Sequence, residues 1–204
     1  LQNRNEVVYV METDNIQGQS VLVEKVISGG FCVKCGACVG LCPYFNYFDG
    51  KVVVMDKCQA DTLRCLQLCP RAEYEGTSLH PIPEKEPIGP YRHVLVARAI
   101  DEEIRNRAQY GGTVSAILME AFEKGDIRSA VLTDAGDRLS PGGVMARNRE
   151  EVLDCAGSRY SGSASLSVLN RAISQGEDKI GVVGLPCQME ALARMERMKP
   201  DGEE

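Results

Sequence analysis

FCVKCGACVGLCPYF, residues 31–45, places Cys32, Cys35, Cys38 and Cys42 at intervals of three, three and four, with Pro43 closing the run. Two-residue loops let three thiolates converge on one centre, and a fourth cysteine before proline reaches a neighbouring one; this CxxCxxCxxxCP spacing is that of a 4Fe-4S site. A zinc site normally uses two separated pairs of ligands, so three cysteines at i, i+3 and i+6 fit a cubane better. Gly36 and Ala37 are small enough to let backbone amides approach the sulfurs.

A second, altered copy follows in KCQADTLRCLQLCPR, residues 57–71, with Cys58, Cys65, Cys69 and Pro70. An internal repeat of this kind is how a two-cluster ferredoxin module looks in sequence. Asp61 stands where a cysteine is expected, and one extra residue precedes Cys65. If the ligands cross over as in two-cluster ferredoxins, Cys32, Cys35, Cys38 and Cys69 take the first cluster, and Cys42, Cys58 and Cys65 take the second. One iron is then short of a protein sulfur. An Asp61 oxygen, a three-iron cluster or a cysteine from outside the module are the alternatives for it.

The rest of the chain bounds the function. Its 204 residues are 44% hydrophobic and 25% charged, enough for one or two globular domains with a real core. The formal charge of −6 and the lack of a basic stripe argue against nucleic acid as main partner. No apolar run has the ~20 residues of a membrane span, and the N-terminal LQNRNEVVYV has no signal-peptide pattern, so a cytoplasmic setting is expected. Nine cysteines without a secretory signal call for metal or redox chemistry before disulfides. The opening on Leu1 and the abrupt PDGEE ending suggest part of a longer polypeptide with an incomplete C-terminal part.

Four regions follow. Residues 1–30 are a lead, with EVVYVME and VLVEKVI read as two short strands or a strand and a helix start. Residues 31–79 are the iron-sulfur domain, in which YFNYFDGKVVVMD reads as a hairpin. Residues 80–91, which hold four of the nine prolines, are a stiff linker. Residues 92–204 alternate strands (YRHVLVARAI, SAVLTD, DKIGVVGL) with helical patterns, an α/β arrangement. The fold class is α+β overall: a ferredoxin-like two-cluster module, then an α/β domain. His80 and His93, the two histidines, are read as structural.

Three places in the second domain invite a chemical reading. In AQYGGTVSAILMEAFEKG, Val114, Ile117, Leu118, Ala121 and Phe122 share a helical face, so Gly111, Gly112 and Thr113 stand at a helix N-terminus, where free amides suit a phosphate. The alternative is a tight turn or cap. In CAGSRYSGSASL, Ser158, Arg159, Ser161 and Ser163 offer polar contacts and Tyr160 a stacking surface; the alternative is a solvated loop. In VVGLPCQMEAL a strand delivers Cys187 and Gln188 to a helix start, where a thiol is reactive if its pKa is lowered, although a small buried cysteine is commoner.

Together, CVKCGACVGLCP, GGTVSAILMEAFEKG, NREEVLDCAGSRYS and IGVVGLPCQMEAL, in that order from about Phe31 to Arg197, resemble the beta subunits of coenzyme F420 hydrogenases and dehydrogenases. The resemblance implies iron-sulfur clusters and FAD in an F420-dependent oxidoreductase. A hydride would pass between the deazaflavin F420 and the flavin, and single electrons through the clusters to a hydrogenase, formate dehydrogenase or other reductase subunit. It makes Gly111, Gly112, Thr113, Ser115, Ser158, Arg159, Tyr160 and Ser161 FAD contacts, and Pro186, Cys187 and Gln188 neighbours of the flavin or a cluster. It assigns no catalytic acid or base, Cys187 being the one candidate. A hydride carries two electrons and a cluster accepts one, so a flavin is needed as converter. The sequence departs from the family pattern at Tyr110, often a small residue, and at Leu185, usually threonine. The competing readings are a relay module without flavin, a relative serving a non-F420 substrate with ferredoxin, and a zinc-stabilised interaction domain.

Overall fold

The computed structural model describes residues 18–60, 63–72, 91–134 and 141–198. Asp61, His80, the EVVYVME stretch and nearly all of the proline-rich segment lie outside them. The first described element is a short helix, α1 (Gly18–Val21), which widens into a π-helical stretch over Leu22–Ile27. VLVEKVI is thus helical, and Leu22 and Val26, four apart, face one core.

The expected hairpin is present. β1 (Phe45–Phe48) pairs antiparallel with β2 (Lys51–Val54) through the two-residue turn Asp49–Gly50, both residues at positive φ as a type I′ connection requires. Phe45 and Val52 point inward and join Leu22, Val26, Val39, Cys65 and Leu66 in a small core. Cys65 and Leu66 lie on α2 (Arg64–Leu68).

Beyond the linker, the chain forms α3 (Glu102–Arg107), α4 (Thr113–Glu123), β3 (Ser129–Thr133), β4 (Gly143–Ala146), α5 (Arg149–Asp154), α6 (Ser165–Ser174), β5 (Ile180–Val182) and α7 (Pro186–Arg197). β3 is central, antiparallel to β4 and parallel to β5. The described architecture is therefore mixed α and β with two small sheets. Alternation along β3 sorts its neighbours: Ala130 and Leu132 pack with Ile104, Leu118, Met119 and Leu153 of α3, α4 and α5, whereas Val131 faces Leu166, Leu169 and Ala191 of α6 and α7. Asn148 caps α5, its Oδ1 accepting from the Glu151 amide at 3.0 Å while its Nδ2 donates to Glu151 Oε1 at 2.7 Å.

Two expectations need correction. The stretch 93–99 of YRHVLVARAI pairs with no strand among the described residues, and Val94, Leu95 and Val96 are exposed. Its apolar character is not spent on the described sheet, whose β3 already has a partner on each side. On α4, Leu118 and Met119 are buried, but Val114 and Ile117 look outward beside the 97–99 stretch. A helix apolar around much of its girth does not declare its inner face, and here the sheet takes the Leu118 side.

The cysteine module and the α/β unit share a core. Cys35, Ala37 and Leu68 pack in one cluster with Val131, Leu166, Leu169 and Ala191. Gly36 marks the closest approach: its φ is +85°, and a Cβ there would lie 2.5 Å from the Ala164 carbonyl oxygen. Gly36→Ala is expected to cost about 2–4 kcal/mol from strain plus overlap. Denaturant unfolding followed by circular dichroism measures it; a loss below about 0.5 kcal/mol, the range of ordinary surface changes, would show that the two parts do not meet so tightly.

Candidate functional site

The cysteines fall into two sets, each drawing on both sequence motifs. Cys32, Cys35 and Cys38 of the first motif and Cys69 of the second line one small pocket, partly open to solvent. Leu22, Val26, Ile27, Val52 and Leu68 supply its apolar wall. Cys65, in contrast, feels the charges of Cys42 and Cys58.

Burial governs the thiols. Desolvation is the main reason that Cys35 and Cys65 are each pushed up to about 11, with the neighbouring cysteine charges adding to it. Cys38 and Cys69 are raised for the same leading reason. Among the described residues, no three His, Cys, Asp or Glu side chains are arranged to hold a single metal ion. A cubane is wider than one ion, so its thiolates enclose a pocket rather than a point. Sulfur donors around an apolar cavity match iron-sulfur chemistry.

Polar side chains from outside the motifs hold both sets. Gln19 on α1 grips the loop of the second: its Nε2 donates to the Asp56 carbonyl and its Oε1 accepts from the Cys58 amide, each at 2.8 Å. Asn170 on α6 donates to the carbonyls of Ala37 and Val39, both at 2.8 Å, on either side of Cys38. The Leu166 amide donates to the Cys35 carbonyl at 3.1 Å. Arg194 on α7 donates to the Cys69 and Ala72 carbonyls. Motif reading missed all of these. The available signal was a polar residue on an otherwise apolar helix face, as with Asn170 beside Leu166 and Leu169.

Loop 156–164 joins the three places singled out in the second domain. Gln109, just before Tyr110, donates from Nε2 to the Tyr160 hydroxyl at 2.9 Å and accepts at Oε1 from the Ser158 amide at 3.0 Å. At the other end, buried Gln188 donates to the Ser163 carbonyl and to Ser165 Oγ, and accepts from the Leu185 amide at 2.7 Å. Leu185, at the N-cap of α7, has no side-chain acceptor, so Gln188 supplies only half of a capping pair. Tyr47 of the hairpin donates to the Gly162 carbonyl at 3.2 Å, tying the loop to the cysteine module. Cys187 is half-buried and near enough for its charge to reach Cys35.

Gly111 and Gly112 have packing roles of their own. A Cβ on Gly111 would lie 2.9 Å from the Ala97 carbonyl oxygen, and Gly112, at φ +70°, would meet Ile104 at 2.8 Å. Thr113 Oγ1 donates to the Ala97 carbonyl at 3.2 Å, and Ser115 is buried. Arg159 spends its guanidinium on main-chain carbonyls of Asp134, Ala156 and Ser158. Tyr160 and Ser161 are exposed beside it, as is His93.

Residues 94–170 match the model of the coenzyme F420 hydrogenase/dehydrogenase beta subunit N-terminal family. The chain is 39% identical over 109 residues to a coenzyme F420 hydrogenase subunit beta of Methanosarcina barkeri, covering 52% of this chain and 38% of that protein. It is 30% identical over 177 residues to a coenzyme F420-dependent sulfite reductase of Methanocaldococcus jannaschii, covering 85% of this chain and 26% of that protein. A solved F420-reducing NiFe hydrogenase complex from Methanosarcina barkeri contains a chain 38% identical to this one, over 50% of this chain and 35% of that chain, with a TM-score of 0.47. Residues 94–170 belong to the coenzyme F420 hydrogenase/dehydrogenase beta-subunit N-terminal family. The chain spans 26% and 38% of the length of the two curated relatives described.

The raised thiols make the metal-free chain sensitive to alkali. Unfolded thiols ionise near 9 and the folded Cys35 and Cys65 near 11, so their stabilising effect is complete below about 9 and lost as pH rises towards 11. Denaturant midpoints of metal-free protein are expected to fall between about pH 8 and about pH 10.5, and the fall to disappear once iron and sulfide have taken the thiolates. Equal midpoints without metal would mean that the thiols are not buried.

Proposed function

We propose that this chain is the flavin and iron-sulfur part of an F420-dependent oxidoreductase subunit. It exchanges a hydride between coenzyme F420 and FAD, and passes electrons singly to or from a partner hydrogenase, formate dehydrogenase or other reductase subunit in the cytoplasm. The observation that carries the reading is the pocket walled by Cys32, Cys35, Cys38 and Cys69, in a chain whose residues 94–170 match the F420 family model.

In this reading Cys32, Cys35, Cys38 and Cys69 hold one 4Fe-4S cluster. Cys42, Cys58 and Cys65 hold a second, with Asp61 as the proposed fourth donor. Gly111, Gly112, Thr113, Ser115, Ser158, Tyr160 and Ser161 hold FAD, with Pro186, Cys187 and Gln188 at its edge. When bound, the flavin supplies conversion between a two-electron hydride and single electrons. Leu22, Val26 and Leu68 keep water from the first set of thiols. Gln109 and Gln188 fix the two ends of loop 156–164, so the residues proposed to hold the flavin stay in register with the cysteine module.

A flavin-free relay is the second reading, favoured by Arg159, whose guanidinium is already engaged, and by glycines whose packing accounts for them. One experiment separates the two. The natural full-length protein, purified without oxygen and reconstituted with iron, sulfide and FAD, is mixed with reduced coenzyme F420 and a one-electron acceptor while deazaflavin absorbance is followed. FAD-dependent oxidation is expected, and Tyr160→Ala, which removes an exposed side chain proposed to contact the flavin, should lower it by at least about tenfold through lost FAD binding, since about 1.4 kcal/mol of contact energy is a factor of ten. No turnover in protein carrying both cofactors would overturn the F420 assignment, and protein that binds clusters but no FAD would favour the relay.

A further inference from the structure

α7 carries a buried ion pair against the cysteine module that the proposed reaction does not use. Arg194 is 7% exposed, and its Nη1 donates to the carbonyls of Cys69 and Ala72, the latter at 3.1 Å. Its Nη2 pairs with Glu190 one turn back on the same helix. Its Nε is buried and has no hydrogen-bond partner among the described residues. A buried ion pair is weak evidence of stabilisation, because desolvation offsets most of the attraction. Placing one here against the backbone of a proposed cluster ligand calls for another explanation.

We propose that Arg194, balanced by Glu190, is a positioning residue that raises the reduction potential of the cluster held by Cys32, Cys35, Cys38 and Cys69. The inference rests on the cluster assignment made above. Reduction adds one electron and so one negative charge; no bond at Arg194 forms or breaks. Its positive end lies against the Cys69 carbonyl, and its charge reaches the Cys69 sulfur. Glu190 opposes this field incompletely. Its side chain is 34% exposed against 8% for Arg194, so water screens the negative end more than the positive one. The orphaned Nε–H is also a donor without an acceptor among the described residues, on the side chain that holds the Cys69 backbone.

The pair gives a test with opposite signs. The full-length protein, reconstituted with iron and sulfide, is titrated with dithionite in the presence of mediators. The electron paramagnetic resonance signal that disappears in Cys38→Ser reports the first cluster. Arg194→Gln is expected to make that cluster harder to reduce by about tenfold, which for a one-electron couple is ~59 mV downward. Glu190→Gln should shift it upward, and Arg194→Lys should restore most of the wild-type value. A merely structural role would lower iron content or melting temperature in both variants without moving the potential in opposite directions. Should Arg194→Gln fail to fold, the half-exposed Glu190 still decides: no upward shift in Glu190→Gln at equal iron content overturns the proposal. Wild-type protein that takes up no iron and sulfide overturns the cluster assignment itself, and this inference with it.

Discussion

Everything described here depends on how a loop with few partners of its own, Cys32 to Cys42, satisfies its backbone. Ligating cysteines must turn inward, which leaves the carbonyls between them facing out and away from regular hydrogen bonding. Buried carbonyls without donors are costly, on the order of 1–3 kcal/mol each. The loop has no sheet or helix to meet that demand, and the second domain meets it instead: Leu166 for Cys35, and Asn170 for Ala37 and Val39; Arg194 does the same for Cys69 and Ala72 of the second motif. The absence of a side chain at Gly36 lets the loop approach Ala164 closely enough for this. The cysteine module and the α/β unit are therefore structural partners as well as neighbours in sequence.

That dependence gives the family resemblance a physical content. Strand β3 is the middle layer, with α3, α4 and α5 on one face and α6, α7 and the cysteine loop on the other. Loop 156–164 runs between the start of α4 and the start of α7 and touches the hairpin on the way. The three segments proposed to hold a flavin thus share one strap with the thiols proposed to hold iron. A converter and a wire need a fixed separation, and the strap ties both to the same rigid helices.

What could be read from sequence was what neighbouring residues decide. The Asp49–Gly50 turn and the helix after Gly112 rest on local backbone chemistry, and both stand as expected. What could not be read depends on distant partners. The apolar run Val94–Val96 has strand composition, but a strand exists only where another backbone pairs with it. The same limit hid the outward turn of Val114 and Ile117. Gln19, Asn170 and Arg194 carry no motif, because they serve carbonyls supplied by a segment tens or more than a hundred residues away.

The central claim is that the cysteine loop and the α/β unit form one mechanical body. Amide hydrogen exchange on the full-length protein, with and without iron and sulfide, tests it most directly. Loading the thiols should slow exchange in residues 31–72 and also at Leu166, Leu169 and Ala191 on α6 and α7. Protection confined to residues 31–72, with α6 and α7 unchanged, would contradict the account.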